Sequence, residues 1–260
     1  MPKAGLELAG TRLLFKSDSA GIISVLKRRY GRFSVPGGGG YAFRTVEAPG
    51  ASLPFKPAVF LSGSLLELAR GDFRAGLHLA AASGELHAAA NEQCLDAFLR
   101  ALLSSLLLRS GGFMLHSAGL VKKGRAYLFL GRSGAGKSTL SRLAAGAGRE
   151  VISDEVNLVR REKGRFLVYG SPFWGEMRAD GRPGRWPLGG IFLLKKSRAN
   201  AVSPCGGAEA LGLLLRCQLN FEKGPDVSRL VMDNAAALLA KAAFSRLEFS
   251  KKDASFLELL

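Results

Sequence analysis

The densest chemical content in the chain lies between Tyr127 and Thr139, which reads Tyr-Leu-Phe-Leu-Gly-Arg-Ser-Gly-Ala-Gly-Lys-Ser-Thr. Gly131, Gly136, Lys137 and Ser138 fill the pattern G-x-x-x-x-G-K-[ST], with Ser133, Gly134 and Ala135 inside it and Thr139 directly after. Glycines at 131, 134 and 136 let the backbone curl and approach a phosphate with no Cβ in the way. A loop curled in this way turns successive N–H groups inward and makes a concave anion site. The helix that follows, from Lys137 to about Ala145, adds its positive end. In such a loop Lys137 brings a cation to the outer phosphates and Ser138 offers a hydroxyl to Mg²⁺. Arg132, at a variable position of the pattern, reads as a solvated side chain.

A second group of chemical residues follows 17 positions after Lys137, where the short apolar run Glu150 to Ser153 ends in Asp154 and Glu155. Upstream, His116 stands alone in an apolar strand-like stretch. Downstream, Glu176 and Arg178 fall in Trp-Gly-Glu-Met-Arg. Trp174 reads as packing or as a lid. His78 and His87 alternate with apolar neighbours and lack a third ligand, so they read as polar-face residues and not as a metal site.

These residues need elements to hold them. Leu140, Leu143 and Ala144 share one helical face after the loop, with Gly146 and Gly148 as its stop. Phe113 to Val121 and the run into Leu130 predict two antiparallel strands joined by Lys122 to Arg125. That differs from the usual parallel nucleotide-binding layout. Asn157 to Arg160 and Arg165 to Tyr169 predict a second hairpin around Lys163-Gly164. A basic Gly/Pro loop is expected from Arg178 to Pro187, then a buried strand from Gly189 to Leu194. Helices are expected over 208–215 and over 227–243, the latter capped by Asp226, then a strand from Phe244 to Phe249 and a short helix from Asp253.

The N-terminal third predicts two strands within residues 4–16. A helix follows from Ser17–Ser19 to Tyr30, stopped at Gly31. Strands are expected at Phe33–Val35 and Tyr41–Val46. Pro49, Pro54 and Pro57 break regular structure. The clearest hairpin joins Gly76–Ala80 to Glu85–Ala88. Asn91 caps a helix whose leucines recur at i, i+3, i+4 and i+7 as far as Arg109. The layout implies an α+β N-terminal domain over residues 1–90 and a nucleotide-binding domain over 91–260, with helix 91–110 bridging them.

Bulk properties limit the function classes. With 47% hydrophobic and 22% charged residues among 260, the chain can bury a core and is not compositionally disordered. No apolar run reaches the ~18 residues of a membrane span, and Met1-Pro2-Lys3-Ala4 opens no signal-peptide apolar region. Three cysteines with no C-x-x-C spacing argue against disulfides and zinc. A cytoplasmic protein is expected. The net charge of +16 raises nucleic acid as a partner. But the basic groups form short scattered clusters such as Lys27-Arg28-Arg29 and Lys195-Lys196, and no RNA-recognition, helix-turn-helix or zinc-finger pattern is present. The charge then reads as a field that draws in nucleotide or an acidic partner.

Taken together, the His116 strand, the turn, the strand into Gly131–Ser138 and the acidic pair resemble HPr kinase/phosphorylase and its shorter relatives. The resemblance runs from about Leu95 to Leu194. It implies a phosphoenolpyruvate carboxykinase-like P-loop kinase fold, α/β with a mixed or antiparallel sheet, after the smaller N-terminal domain. It implies an ATP- and Mg²⁺-dependent kinase acting on a serine hydroxyl of a protein or peptide, with Asp154 as base and Glu155 as metal ligand beside Ser138. It places His116 near the γ-phosphate and suggests site roles for Glu176 and Arg178. Because relatives form rings, self-association is implied as well. The Glu-Ile/Val-Arg-Gly segment of true HPr kinases has only a loose counterpart in Glu176 and Arg178, so the acceptor is not expected to be HPr. A small-molecule kinase on the same fold and a non-catalytic nucleotide-binding regulator stay open as alternatives.

Overall fold

The structure is a computed structural model that describes residues 1–50, 56–179 and 181–260. Pro54, and Asp180 within the expected basic loop, lie outside the described residues. The chain is a mixed α/β protein with two sheets, mostly strands, and it separates into two compact units. The first comprises Met1–Leu106 and Asn220–Ser228, and the second Leu107–Leu219 and Arg229–Leu260.

The first unit carries β1 (Lys3–Leu8), β2 (Thr11–Ser17), α1 (Ala20–Tyr30), β3 (Tyr41–Glu47), β4 (Ala58–Ser62), β5 (Leu65–Arg70), β6 (Phe73–His78), β7 (Ser83–Ala88) and most of α2 (Glu92–Arg109). Its seven-stranded sheet has the order β1-β2-β3-β7-β6-β5-β4. β2, β3 and β7 are parallel neighbours and the other pairs are antiparallel. Ser19 caps α1, its hydroxyl accepting from the Gly21 N–H. Asn91 caps α2, accepting from the Cys94 N–H at 2.9 Å. One sheet face is aromatic: Phe15 stacks on Phe43 at 5.5 Å, and Phe98 of α2 meets Phe15, Phe43 and Phe73 edge-on. Pairs of this geometry add ~0.5–1.5 kcal/mol beyond the area they bury. His78 and His87 lie exposed on the strands, consistent with a polar face.

Segment Asn220–Ser228 joins this unit far from it in sequence because Glu222 is held there. Its carboxylate accepts from the buried Ser105 hydroxyl at 2.9 Å, and its backbone bridges to Val59. The expected strand at Phe33–Val35 is replaced by a 3-10 turn, Gly31–Phe33, followed by a single bridge from Ser34 to Leu6. Gly31 keeps a right-handed φ of −56°, so the chain winds on instead of reversing.

The second unit carries β8 (Phe113–Lys122), β9 (Arg125–Leu130), α3 (Lys137–Gly146), β10 (Glu150–Ser153), β11 (Val156–Glu162), β12 (Arg165–Tyr169), β13 (Arg185–Lys196), β14 (Ala201–Pro204), α4 (Gly207–Cys217), α5 (Pro225–Leu239) and β15 (Phe244–Phe249), then a 3-10 turn over Ser255–Leu259. The sheet order is β10-β8-β11-β12-β13-β15-β14, with β9 between β8 and β13. The β8–β9 and β11–β12 hairpins turn at Lys123-Gly124 and Lys163-Gly164, all four residues at positive φ.

β13 starts at Arg185, so Arg185, Trp186 and Pro187 are strand and not loop. They pair with Tyr169, Val168 and Leu167 of β12. α5 ends at Leu239, four residues before the expected end, because the Ala243 carbonyl is needed by the Ile191 N–H where β15 begins. Asp226 lies inside its first turn and not at its cap. β14, unmarked in the sequence, is an edge strand paired with β15. Among the described residues no helix is long and apolar enough to cross a membrane.

Candidate active site

Three parallel strands deliver the site. β9, β13 and β15 run side by side, with Leu130 opposite Leu193 and Phe249 opposite Lys196. Their carboxyl ends share one edge, which is where open α/β sheets bind ligands. Phe129, Phe192, Leu194, Phe249 and Phe256 form the core beneath it.

From the end of β9 the chain enters the glycine-rich loop. Gly134 and Gly136 adopt φ of +75° and +105°, a region costly for other residues. Gly131 packs against Ala135 so closely that an added Cβ would lie 2.8 Å from the alanine methyl. The loop feeds α3, which opens with no capping side chain and no acid in its first turn. Its leading N–H groups therefore have no side-chain acceptor of their own.

Lys137, 7% exposed, folds back so that its ammonium donates to the carbonyls of Gly131 at 3.0 Å and Arg132 at 3.3 Å. Burial pushes this ammonium below the ordinary lysine range, while Cys217, Glu155 and Glu176 pull it back up. A buried cation whose hydrogen bonds go to backbone carbonyls is suited to an anion.

The acidic pair is positioned by β8. β10 pairs with β8 up to Ser153 opposite Gly119, and β11 resumes at Val156 opposite His116. In between, the Ser153 hydroxyl accepts from the N–H groups of Glu155 and Val156, and the Ser117 N–H donates to the Glu155 carbonyl at 2.9 Å. This break in the ladder re-aims the Asp154 and Glu155 side chains, as bulges do beside active sites. Asp154 is 5% exposed and accepts the Met177 N–H at 3.1 Å. A Cβ on Gly175 would come within 2.4 Å of Asp154 Oδ1, so the chain after Trp174 lies directly on the carboxylate.

One cleft of about 490 Å³ gathers these groups. Ser133, Gly134, Gly136, Lys137, Ser138 and Thr139 line part of it. His116, Asp154, Glu155 and Glu176 line the rest together with four residues not singled out in the sequence: Lys196, Ser197, Phe249 and Lys251. The sequence could not select those four because strand order is invisible in it, and only the Lys195-Lys196 pair stood out as charge. Gly131, Ala135, Trp174 and Arg178 do not line the cleft. Arg178 is exposed at φ +48°, its N–H donating to Gly175. Glu176 forms an exposed ion pair with Arg142 on α3 at 3.1 Å.

The donor chemistry can be tested against a cation. Among the described residues no three His, Cys, Asp or Glu side chains cluster into a self-sufficient metal site. Ser138 and Glu155 nonetheless bring two oxygen donors into one cleft. Mg²⁺ is commonly held by one or two carboxylates together with substrate phosphates. The residues fit a cation that arrives with a phosphate ligand.

A family model described as "SynChlorMet cassette protein ScmC" matches residues 89–243, which include the glycine-rich loop and the acidic pair. No curated protein matches the chain in sequence. Among solved structures, the Hpr(Ser) kinase/phosphatase from Coxiella burnetii is similar at 12% identity over 47% of this chain and 93% of that chain. Its TM-score is 0.26, and the likeness carries no argument.

Proposed function

The chain belongs to the ScmC family of SynChlorMet cassette proteins, and from its cleft we propose that it is an ATP- and Mg²⁺-dependent kinase that phosphorylates a serine hydroxyl of a protein or peptide. The observation that carries this reading is the convergence of Lys137 and Ser138 with the buried Asp154 in one cleft. The P-loop and carboxykinase-like fold are part of the same proposal, as is a relation to the HPr kinases.

Phosphoryl transfer requires positioning and charge stabilisation more than covalent chemistry by the protein. Lys137 and the loop N–H groups hold the outer phosphates of ATP. Ser138 and Glu155 would hold Mg²⁺, which supplies charge neutralisation on the phosphate oxygens. Asp154 takes the proton from the acceptor hydroxyl as that oxygen bonds to the γ-phosphorus. The bond from the γ-phosphorus to the β,γ-bridging oxygen breaks, and ADP leaves with that electron pair. His116, which lines the cleft, would stand near the transferring group, and Lys196 and Lys251 would add positive charge there. Glu176, which lines the cleft and pairs with Arg142, keeps a second-site role in this proposal, whereas Arg178 lies outside the cleft lining.

The test is incubation with γ-labelled ATP and Mg²⁺ plus a serine-containing peptide or free serine. Label on the peptide supports the reading. Label on free serine alone moves the protein to a small-molecule kinase, and label on neither removes the kinase assignment for both.

A further inference from the structure

Beside the cleft lies a groove of about 670 Å³ with an unusual lining. Arg132, Lys195, Lys196, Arg216 and Arg246 bring five cations to it, against one carboxylate, Glu209. Glu209 is bound to Arg246 at 2.7 Å, and Lys195 pairs with Glu248 at 3.5 Å. Arg132, Lys196 and Arg216 have no carboxylate within ion-pair distance among the described residues, and all three side chains are exposed. The floor is apolar, formed by Ala135, Leu193, Leu194 and Leu213. Lys196 lines this groove and the cleft alike, and the glycine-rich loop contributes Ser133 and Gly134 to the cleft and Arg132 and Ala135 to the groove.

We infer that this groove docks an acidic segment of the acceptor polypeptide, with carboxylates on Arg132, Lys196 and Arg216 and an aliphatic side chain on the leucine floor. The word acceptor rests on the kinase reading above, but docking itself does not. Charge complementarity favours an anionic partner, because three exposed cations with no carboxylate partner raise the local potential where the partner arrives. One feature favours polypeptide over polynucleotide. Among the described residues the groove lining holds no aromatic side chain on which bases could stack, and stacking is a main source of single-strand affinity. An anchor at this place also leaves the acceptor chain a path across Lys196 to the reacting hydroxyl.

The test uses the full chain without nucleotide and a fluorescein-labelled peptide of alternating Glu and Leu with one Ser. Anisotropy should show saturable binding that weakens with added salt. The variant Arg216→Glu should lose about tenfold or more in affinity, while a fluorescent ATP analogue binds it as it binds the parent. Should that variant unfold, the neutral Arg216→Gln serves in its place and should lose affinity in the same direction. Equal peptide binding by parent and variant overturns the inference. So does an oligothymidylate of equal length that binds more tightly and displaces the peptide. Peptide binding without phosphoryl transfer removes the kinase and keeps the groove. Transfer to the peptide that the variant leaves unchanged removes the groove and keeps the kinase.

Discussion

The backbone N–H of Met177 donates to Asp154 Oδ2 at 3.1 Å, so a segment 23 residues downstream holds the carboxylate that ends the β10 strand. This contact fixes one oxygen of a buried acid and leaves the side chain lining the cleft that also contains Lys137 and Ser138. If Asp154 is the base, Asp154→Asn preserves size and can still accept from Met177, but it cannot take the hydroxyl proton. Turnover is expected to fall ~10²–10⁴-fold. ATP affinity, measured by titration calorimetry, should stay within a few-fold of the parent value. Near-full turnover would sink the assignment.

Gly175 provides a second route to the same acid. An alanine there places a methyl 2.4 Å from Asp154 Oδ1 and 2.8 Å from the Glu155 Cβ. Gly175→Ala should lower kcat in the phosphoryl-transfer assay while far-UV circular dichroism is unchanged. A variant with parental kcat would mean that the carboxylate position does not govern the rate.

Lys137 gives a pH prediction with a definite sign. Burial lowers its pKa, so in the free protein it loses its proton at a lower pH than an exposed lysine, whose value is 10.5. Phosphate binding requires the charged form. ATP affinity should therefore decline on the alkaline side at a pH below 10.5, and bound nucleotide should raise the pKa again. Stability moves the other way: the depressed pKa penalises folding when Lys137 is charged, and that penalty fades as pH rises through the folded value. Lys137→Met should remove most nucleotide affinity and raise the melting temperature without nucleotide. An alkaline decline in affinity that persists unchanged in Lys137→Met would assign it to another group.

Much of this site was legible because its signals are local. The loop, its helix and the two hairpins each announce themselves within a few residues, through glycine spacing, the Lys137–Ser138 pair and turn residues at positive φ. The non-local parts were not. Nothing near Lys196 or Lys251 states that β13 and β15 lie parallel to β9, and Gly175 is one of 33 glycines until Asp154 packs against it. Arg185 to Pro187 read as loop because Gly and Pro dominate the stretch, yet pairing with β12 outweighed that preference. In the N-terminal unit α1 ends at Tyr30 before Gly31 as expected, but Phe33 to Val35 forms no strand because the chain winds on through a 3-10 turn.

That unit also carries a stability prediction independent of catalysis. Arg70 forms a two-pronged pair with Asp72, both contacts 2.7 Å and both side chains almost fully buried. Burial alone would raise the Asp72 pKa, but Arg70 outweighs it and holds the carboxyl below its ordinary 3.8. The pair's contribution is therefore present above that value and is lost as pH falls through the lower folded one. Arg70→Met leaves a buried unpaired charge and should cost about 3–5 kcal/mol in urea unfolding at neutral pH. A cost under about 1 kcal/mol, the range of an exposed pair, would show that the site is effectively solvated.

The most direct measurement is titration of the purified protein with ATP, with and without Mg²⁺. The proposed chemistry predicts saturable binding that strengthens with Mg²⁺, weakens when EDTA removes it, and is lost in Lys137→Met. Absence of ATP binding by the folded parent under both conditions, or binding that Lys137→Met leaves intact, would contradict it.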